Sequence, residues 1–370
     1  SPADEAAPTS APETAGSDAA EGGDLAPDDD VVPSAEAVAD AGSTQLGKGS
    51  GAVTVTTRAS AVQFAGGSGV LLVADGSGYS GLASRFGGDA GISAIGLTST
   101  NGLDWEERTL GGIPAGATAT ALRSHDGSHV AVFSRFDVEQ QQAFTFVGSS
   151  TDLVNWTLAP ALVGRDTVAT DLAVGPAGVV VLGTAPDPQI WTGPLGGPYE
   201  LRAPVEGADS VVGVAVLDSG FVVVGFSATQ GATVFSSTDG SAWEATVLGF
   251  LDADDVPIDV STDDGALVLA GAGSNGPWTA RSSDGGATWA YTELASGSVG
   301  EAATGGSTVS FLGDTGDGVA DVVLSDGVSY STAAIEIDRP DRLTLLASTP
   351  GEAVLLSDQG DQTTWIVVSR

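Results

Sequence analysis

Chemistry in this chain falls to carboxylates, four tyrosines, two histidines and twelve lysines and arginines, because the sequence contains no cysteine. That excludes a disulfide framework, a zinc-thiolate site, an iron–sulfur cluster and a thiol nucleophile. His125 and His129 flank Asp126-Gly127, a turn signal, so they read as the two sides of a solvated hairpin. No Gly-x-Ser-x-Gly elbow accompanies them, and a zinc pair across such a turn is not expected. Asp314, Asp317 and Asp321, within DTGDGVAD, offer three carboxylates to an oxygen-ligated cation. Ca2+ takes about six to eight oxygens, and Gly316 offers no side chain, so a tight turn competes with a weak Ca2+ site; no other cofactor is expected. Ser84-Arg85-Phe86 and Ser134-Arg135-Phe136 stand out in a chain so poor in cations. With Tyr79 they make a candidate ligand-binding set, since Arg and aromatic residues dominate interface hot spots. The competing reading packs both rings onto their own strand ends. Glycoside hydrolysis needs only two suitably separated carboxylates, and 48 acids keep that chemistry open.

Those acids against 12 lysines and arginines give a net charge of -36. A surface of that sign repels the phosphate backbone and anionic membranes, so nucleic acid is excluded as the main partner. No apolar run approaches the ~20 residues of a membrane-spanning helix.

Positioning these groups requires strands. From Gly51 onward the sequence is a succession of short Val-rich runs, such as Gly178 to Gly183 (GVVVLG), Phe221 to Phe226 (FVVVGF) and Ala266 to Ala270 (ALVLA), each bounded by Gly, Asp, Ser or Pro. No stretch sustains helical periodicity, so the class is all-β. Four turns repeat: TSTNGLDW with Asn101 and Trp105, SSTDLVNW with Asp152 and Trp156, SSTDGSAW with Asp239 and Trp243, and RSSDGGATW with Asp284 and Trp289. TGPLGGPY and LSDGVSY fit the gaps, with Tyr199 and Tyr330 in the Trp position. The six aromatic anchors lie 51, 43, 44, 46 and 41 residues apart, the spacing of four-stranded β-propeller blades.

The pattern Ser-x-Asp-x-Gly-x-Thr-Trp, matched throughout by Ser282 to Trp289, resembles the Asp-box or BNR repeat of sialidases, sortilin-type receptors and photosystem assembly factors. The resemblance implies a structural role for the eight Asn/Asp and Trp residues just named, at turns between third and fourth strands, away from the ligand face. It also implies what a sialidase would need: three Arg, a Tyr paired with Glu, and an acid. The Arg-Ile-Pro signature of that enzyme is absent, and only Tyr79 could face a pocket.

First strands near Ser60, Thr118, Thr167, Ser210, Val256, Ser298 and Arg342 predict a seven-bladed propeller over 51–370. Ala52 to Thr57 is expected to supply the fourth strand of the last blade and close the ring. In blade 1 a long Gly-rich loop from Asp75 to Gly91 is expected to carry Tyr79, Arg85 and Phe86. Residues 1–50 hold 11 acids and five Pro with few large apolar side chains, and read as a disordered linker or tether. The opening residues resemble a mature bacterial secreted protein or lipoprotein, with a lipidated Cys upstream as the candidate anchor. The expectation is a monomeric, extracellular or cell-surface propeller that binds a protein or a glycan, with an extracellular glycoside hydrolase as the alternative.

Overall fold

The computed structural model describes residues 44–45, 47–48 and 53–370, except 61–63, 65–68, 75–77, 87–90, 163–167, 185–187, 203–207, 228, 253, 295–300, 306–307, 315–318, 327–328, 337–342 and 359–362. The linker expected over 1–50 lies mostly outside the described residues, as does Asp317. Seven sheets, each built on four antiparallel strands, form the blades of a propeller. Their first strands are Val70–Ala74, Thr118–His125, Ala169–Gly175, Ser210–Leu217, Val256–Asp263, Glu301–Gly305 and Leu343–Thr349.

Blade 7 closes the ring. Its own segments Leu343–Thr349, Glu352–Asp358 and Thr363–Ser369 are completed by Thr54–Ala59, antiparallel to the third, with Thr54 opposite Ser369 and Ala59 opposite Thr364. The expected closure is thus present, two residues further along than Ala52 to Thr57. Thr44–Gln45 and Gly47–Lys48 add in parallel to the outer strands of blades 5 and 6, which gives those two sheets a fifth strand.

Blade 1 corrects the sequence reading. Val70–Ala74 is its first strand, and Tyr79–Phe86 is its second strand where a long loop was expected. Ser80, Leu82, Ala83 and Ser84 are all buried. Gly81 lies directly under its neighbour, since a Cβ there would come 2.4 Å from Leu72 Cδ2 and 2.7 Å from the Leu71 carbonyl oxygen. Small residues are required by this close approach, and their composition imitates a loop.

Blade-to-blade seams hold the core. Trp105, Trp156, Tyr199, Trp243, Trp289 and Tyr330 each sit in a cluster formed with the preceding blade. The turns that deliver them are built from side chains. At Ser282 to Trp289, Asp284 Oδ1 accepts the Thr288 amide at 2.8 Å, Ser282 Oγ accepts that of Gly286 at 2.8 Å, and the Trp289 indole N–H donates to the Gly286 carbonyl at 2.9 Å. Asn101 and Asp152 repeat the pattern, each accepting two turn amides at 2.8 to 2.9 Å. At Asp239 the Ser241 amide is the donor, at 2.8 Å. The Ser241 hydroxyl on Asp239 at 2.6 Å, the Thr288 hydroxyl on Asp284 at 2.5 Å and these amides hold the Asp152, Asp239 and Asp284 carboxyls below the usual carboxylate range.

The seam between blades 6 and 7 has no such turn, because the fourth strand of blade 7 comes from Thr54–Ala59. Arg370, just past the third strand, takes its place. Its guanidinium donates to Asp326 Oδ2 at 2.6 Å, to the Ser329 carbonyl at 3.0 Å and to the Leu324 carbonyl.

Candidate functional site

The seven first strands line the central channel. Each is the inner edge of its sheet, so part of its backbone faces the channel without a ladder partner. In blades 2, 3, 4, 5 and 7 this strand carries a β-bulge near its start. Directly after the bulge stand Asp171 in blade 3 and Asp259 in blade 5.

Both acids reach across a seam. Asp171 Oδ1 accepts the Leu172 amide at 2.8 Å, and its Oδ2 accepts the Val214 amide of blade 4 at 2.9 Å. Asp259 Oδ1 accepts the Val260 amide at 2.9 Å, while Oδ2 takes the amide and hydroxyl of Thr304 in blade 6, each at 2.8 Å. Glu301 repeats the device from blade 6 to blade 7, accepting the Leu345 amide at 2.7 Å. Gly213 holds the corresponding place in blade 4, where a Cβ would sit 3.1 Å from Asp171 Oδ2 and 3.0 Å from Val260 Cγ1. Burial pushes the Asp259 and Glu301 carboxyls up, although the Thr304 hydrogen bonds and the nearby Arg123 guanidinium oppose this at Asp259. Arg123 donates to Asp171 Oδ1 at 2.5 Å and to the Leu122 carbonyl at 2.9 Å.

The channel holds a cavity of about 930 Å³ lined by residues of all seven blades, Arg123 and Asp259 among them. Leu, Val and Ala share its walls with polar residues, among them Asp259, Ser261, Thr262 and Thr304. Toward the hairpins that join first and second strands lie Arg123, Ser124 and His125 of blade 2, and Thr349 and Glu352 of blade 7 with Tyr79 of blade 1. The Tyr79 hydroxyl donates to Glu352 Oε2 at 2.9 Å, and burial raises the Tyr79 pKa to about 12, with the Glu352 charge adding to it. Antiparallel strands put these hairpins on the same face as the Asp-bearing turns, so the cavity opens where those turns lie. The expectation set it on the other face.

The candidate ligand-binding set divides. Tyr79 begins the second strand of blade 1 and faces the cavity, while Arg85 and Phe86 end that strand, about 20 Å further along. Arg135 and Phe136 occupy the matching end in blade 2. Arg85 pairs with Glu107 at 3.0 Å, Arg135 with Asp137 at 3.3 Å, and Phe136 is 57 % exposed. The rim carrying both Arg-Phe pairs is therefore distinct from the cavity. Asp314 and Asp321 lie on the paired second and third strands of blade 6, in consecutive registers. Among the described residues no group of three or more His, Asp and Glu is arranged to hold a metal. His125 and His129 flank the hairpin read from the sequence, with Asp126 and Gly127 both left-handed.

Sequence reasoning missed Arg123, Asp171, Asp259, Glu301 and Glu352. A signal was present for two of them: ATDLAV and PIDVST each place one Asp at the same step inside a first strand, two blades apart.

Together the ring closure, the seven sheets and the channel define a seven-bladed β-propeller. No protein-family model matches the sequence, and no curated protein matches it. Among solved structures, the chain is similar to YCF48 bound to D1 peptide, with a TM-score of 0.52 at 15 % identity over 88 % of this chain and 99 % of that one. The β-propeller domain of the Trilobed protease from Pyrococcus furiosus gives a TM-score of 0.47 at 12 % identity, over 82 % and 96 %. An exo-β-1,3-galactanase from Phanerochaete chrysosporium with β-1,3-galactotriose gives 0.37 at 9 %, over 85 % and 96 %. At these identities the likeness is one of fold.

Proposed function

We propose that this chain is an extracytoplasmic propeller of the Asp-box kind, secreted or lipid-tethered, that binds a peptide, protein or glycan at the channel mouth without reacting with it. The observation that carries this reading is the use made of the inner carboxylates. Both oxygens of Asp171 and of Asp259 accept backbone amides, one from the next residue of the same strand and one from the neighbouring blade, and Glu301 likewise reaches the next blade with one oxygen. Carboxylates committed to holding blades together support a rigid, pre-formed cavity; a hydrolase instead needs two acids presented to substrate. The extracytoplasmic placing rests on the acidic, Pro-rich first fifty residues. That YCF48 is bound to a peptide is in keeping with a propeller used as a platform.

Glycoside hydrolysis has one observation in its favour, the Tyr79–Glu352 pair beside the cavity. Against it, Tyr79 is buried and its hydroxyl is held protonated, with a pKa of about 12. Arg123 is the single Arg lining the cavity among the described residues and is already engaged by Asp171.

The test uses Pro350→Trp, which crowds the mouth from an exposed hairpin position next to Gly351. Glycan and peptide arrays should yield a ligand held by the parent and released by this variant, at unchanged thermal midpoint. A ligand indifferent to Pro350→Trp would move the site elsewhere.

A further inference from the structure

The mouth of the cavity has a definite chemical character. Arg123 and Asp171 satisfy one another at 2.5 Å, which leaves Glu352 as the acid placed at the hairpin end. Glu352 is half-buried and fixed by the Tyr79 hydroxyl through Oε2 alone; its Oε1 accepts from no described residue. A carboxylate held in place by a buried phenol, with one oxygen that accepts from no described residue, is a pre-organised acceptor for a charge-assisted hydrogen bond. Behind it the wall mixes polar and apolar surface, and Val174, Val216, Val260 and Ala347 belong to the apolar part. An alkyl stem would lie against that part while its cationic head met Glu352, the way lysine and arginine side chains divide between apolar and polar surroundings. The field of the whole chain has the matching sign, with a net charge of -36.

We infer that the channel mouth takes the side chain of a lysine or arginine carried by a peptide, its head on the Glu352 carboxylate and its stem along the apolar part of the wall. This rests on the binding reading above and names its ligand class. An anion would meet the Glu352 carboxylate, and Tyr79, the aromatic side chain among the described lining residues, is buried.

The experiment is calorimetric titration of the full chain with Gly-Ala-Lys-Ala-Gly and with counterparts carrying Arg, norleucine or Glu at the centre. Salt at about 0.15 M limits diffuse attraction to the acidic surface to within ~8 Å. The Lys and Arg peptides should bind, norleucine about tenfold or more weakly because it keeps the stem and loses the head, and Glu not measurably. Glu352→Gln should cost the Lys peptide about tenfold, and Tyr79→Phe, which frees Glu352 without changing charge, a smaller factor. Asp218→Asn removes one exposed charge from a hairpin on the same face and should change nothing. Thermal midpoints identify any variant that has lost its fold; if Glu352→Gln has, Tyr79→Phe and the norleucine peptide decide. Equal losses in Glu352→Gln and Asp218→Asn, equal binding of norleucine and Lys, or no binding of either cationic peptide would overturn the inference. A neutral or anionic ligand released by Pro350→Trp would sink this inference and leave the binding reading standing.

Discussion

Trp105 of blade 1 stacks on Trp365 of blade 7, with ring centroids 4.4 Å apart and planes 26° from parallel. The two rings lie 260 positions apart in sequence and meet at the seam that makes the propeller a closed ring. Phe64 adds an edge-on contact to Trp365 at 5.7 Å. Trp105→Ala should therefore destabilise by about 3–5 kcal/mol, the usual cost of truncating a packed Trp. Urea unfolding followed by Trp fluorescence would measure it, and a loss under ~1 kcal/mol would mean the seam is held elsewhere.

Ring closure makes a second expectation. Removing residues 1–43 should leave the thermal midpoint nearly unchanged, whereas removing 1–59 takes away Thr54–Ala59 and exposes the edge of Thr363–Ser369. The longer truncation should lower the midpoint sharply and promote association, both readable by calorimetry and light scattering. Equal midpoints would contradict the closure.

The ring and its repeats were legible because they are written locally: each Asp or Asn turn and its Trp lie within a few residues of one another. Blade 1 misled for a physical reason. Ser80, Gly81, Ala83 and Ser84 are small because neighbouring strands crowd them, and small residues also mark loops. The channel acids were hidden by distance. Asp171 meets partners 43 and 48 positions away, and Tyr79 meets Glu352 across 273. No local pattern joins such groups until the blades are laid side by side.

Asp171→Ala should cost about 2–4 kcal/mol, since it leaves the Val214 and Leu172 amides unpaired and Arg123 without its carboxylate. Asp284→Ala acts on a more exposed turn and should cost about 1–2 kcal/mol without altering ligand binding. Chemical denaturation of both variants, beside array binding, separates the two roles; a stable Asp284→Ala protein that no longer binds would reverse the assignment.

The acids also predict opposite pH dependences. Asp152, Asp239 and Asp284 have lowered pKa values, so their stabilisation is present above the unfolded Asp pKa of about 3.9 and lost as pH falls through the folded value. Asp259 and Glu301 are raised, so their contribution is complete below the unfolded range of about 3.9–4.3 and lost as pH rises through the folded values. The stability of the parent relative to Asp259→Asn should consequently decline as pH rises from 4 toward 8, in a series of about 2-unit steps followed by urea midpoints. A difference that grew over that range would show that burial does not raise the Asp259 carboxyl.

The central claim is that the channel mouth binds its ligand and leaves it chemically unchanged. The direct measurement is mass spectrometry of array ligands retained by the parent protein and then eluted. The account predicts that every retained peptide or glycan is recovered at its original mass, and that retention is lost in Pro350→Trp. Recovery of a cleaved glycan whose formation disappears in Glu352→Gln, with the fold intact, would contradict it and make Tyr79 and Glu352 part of a hydrolytic site.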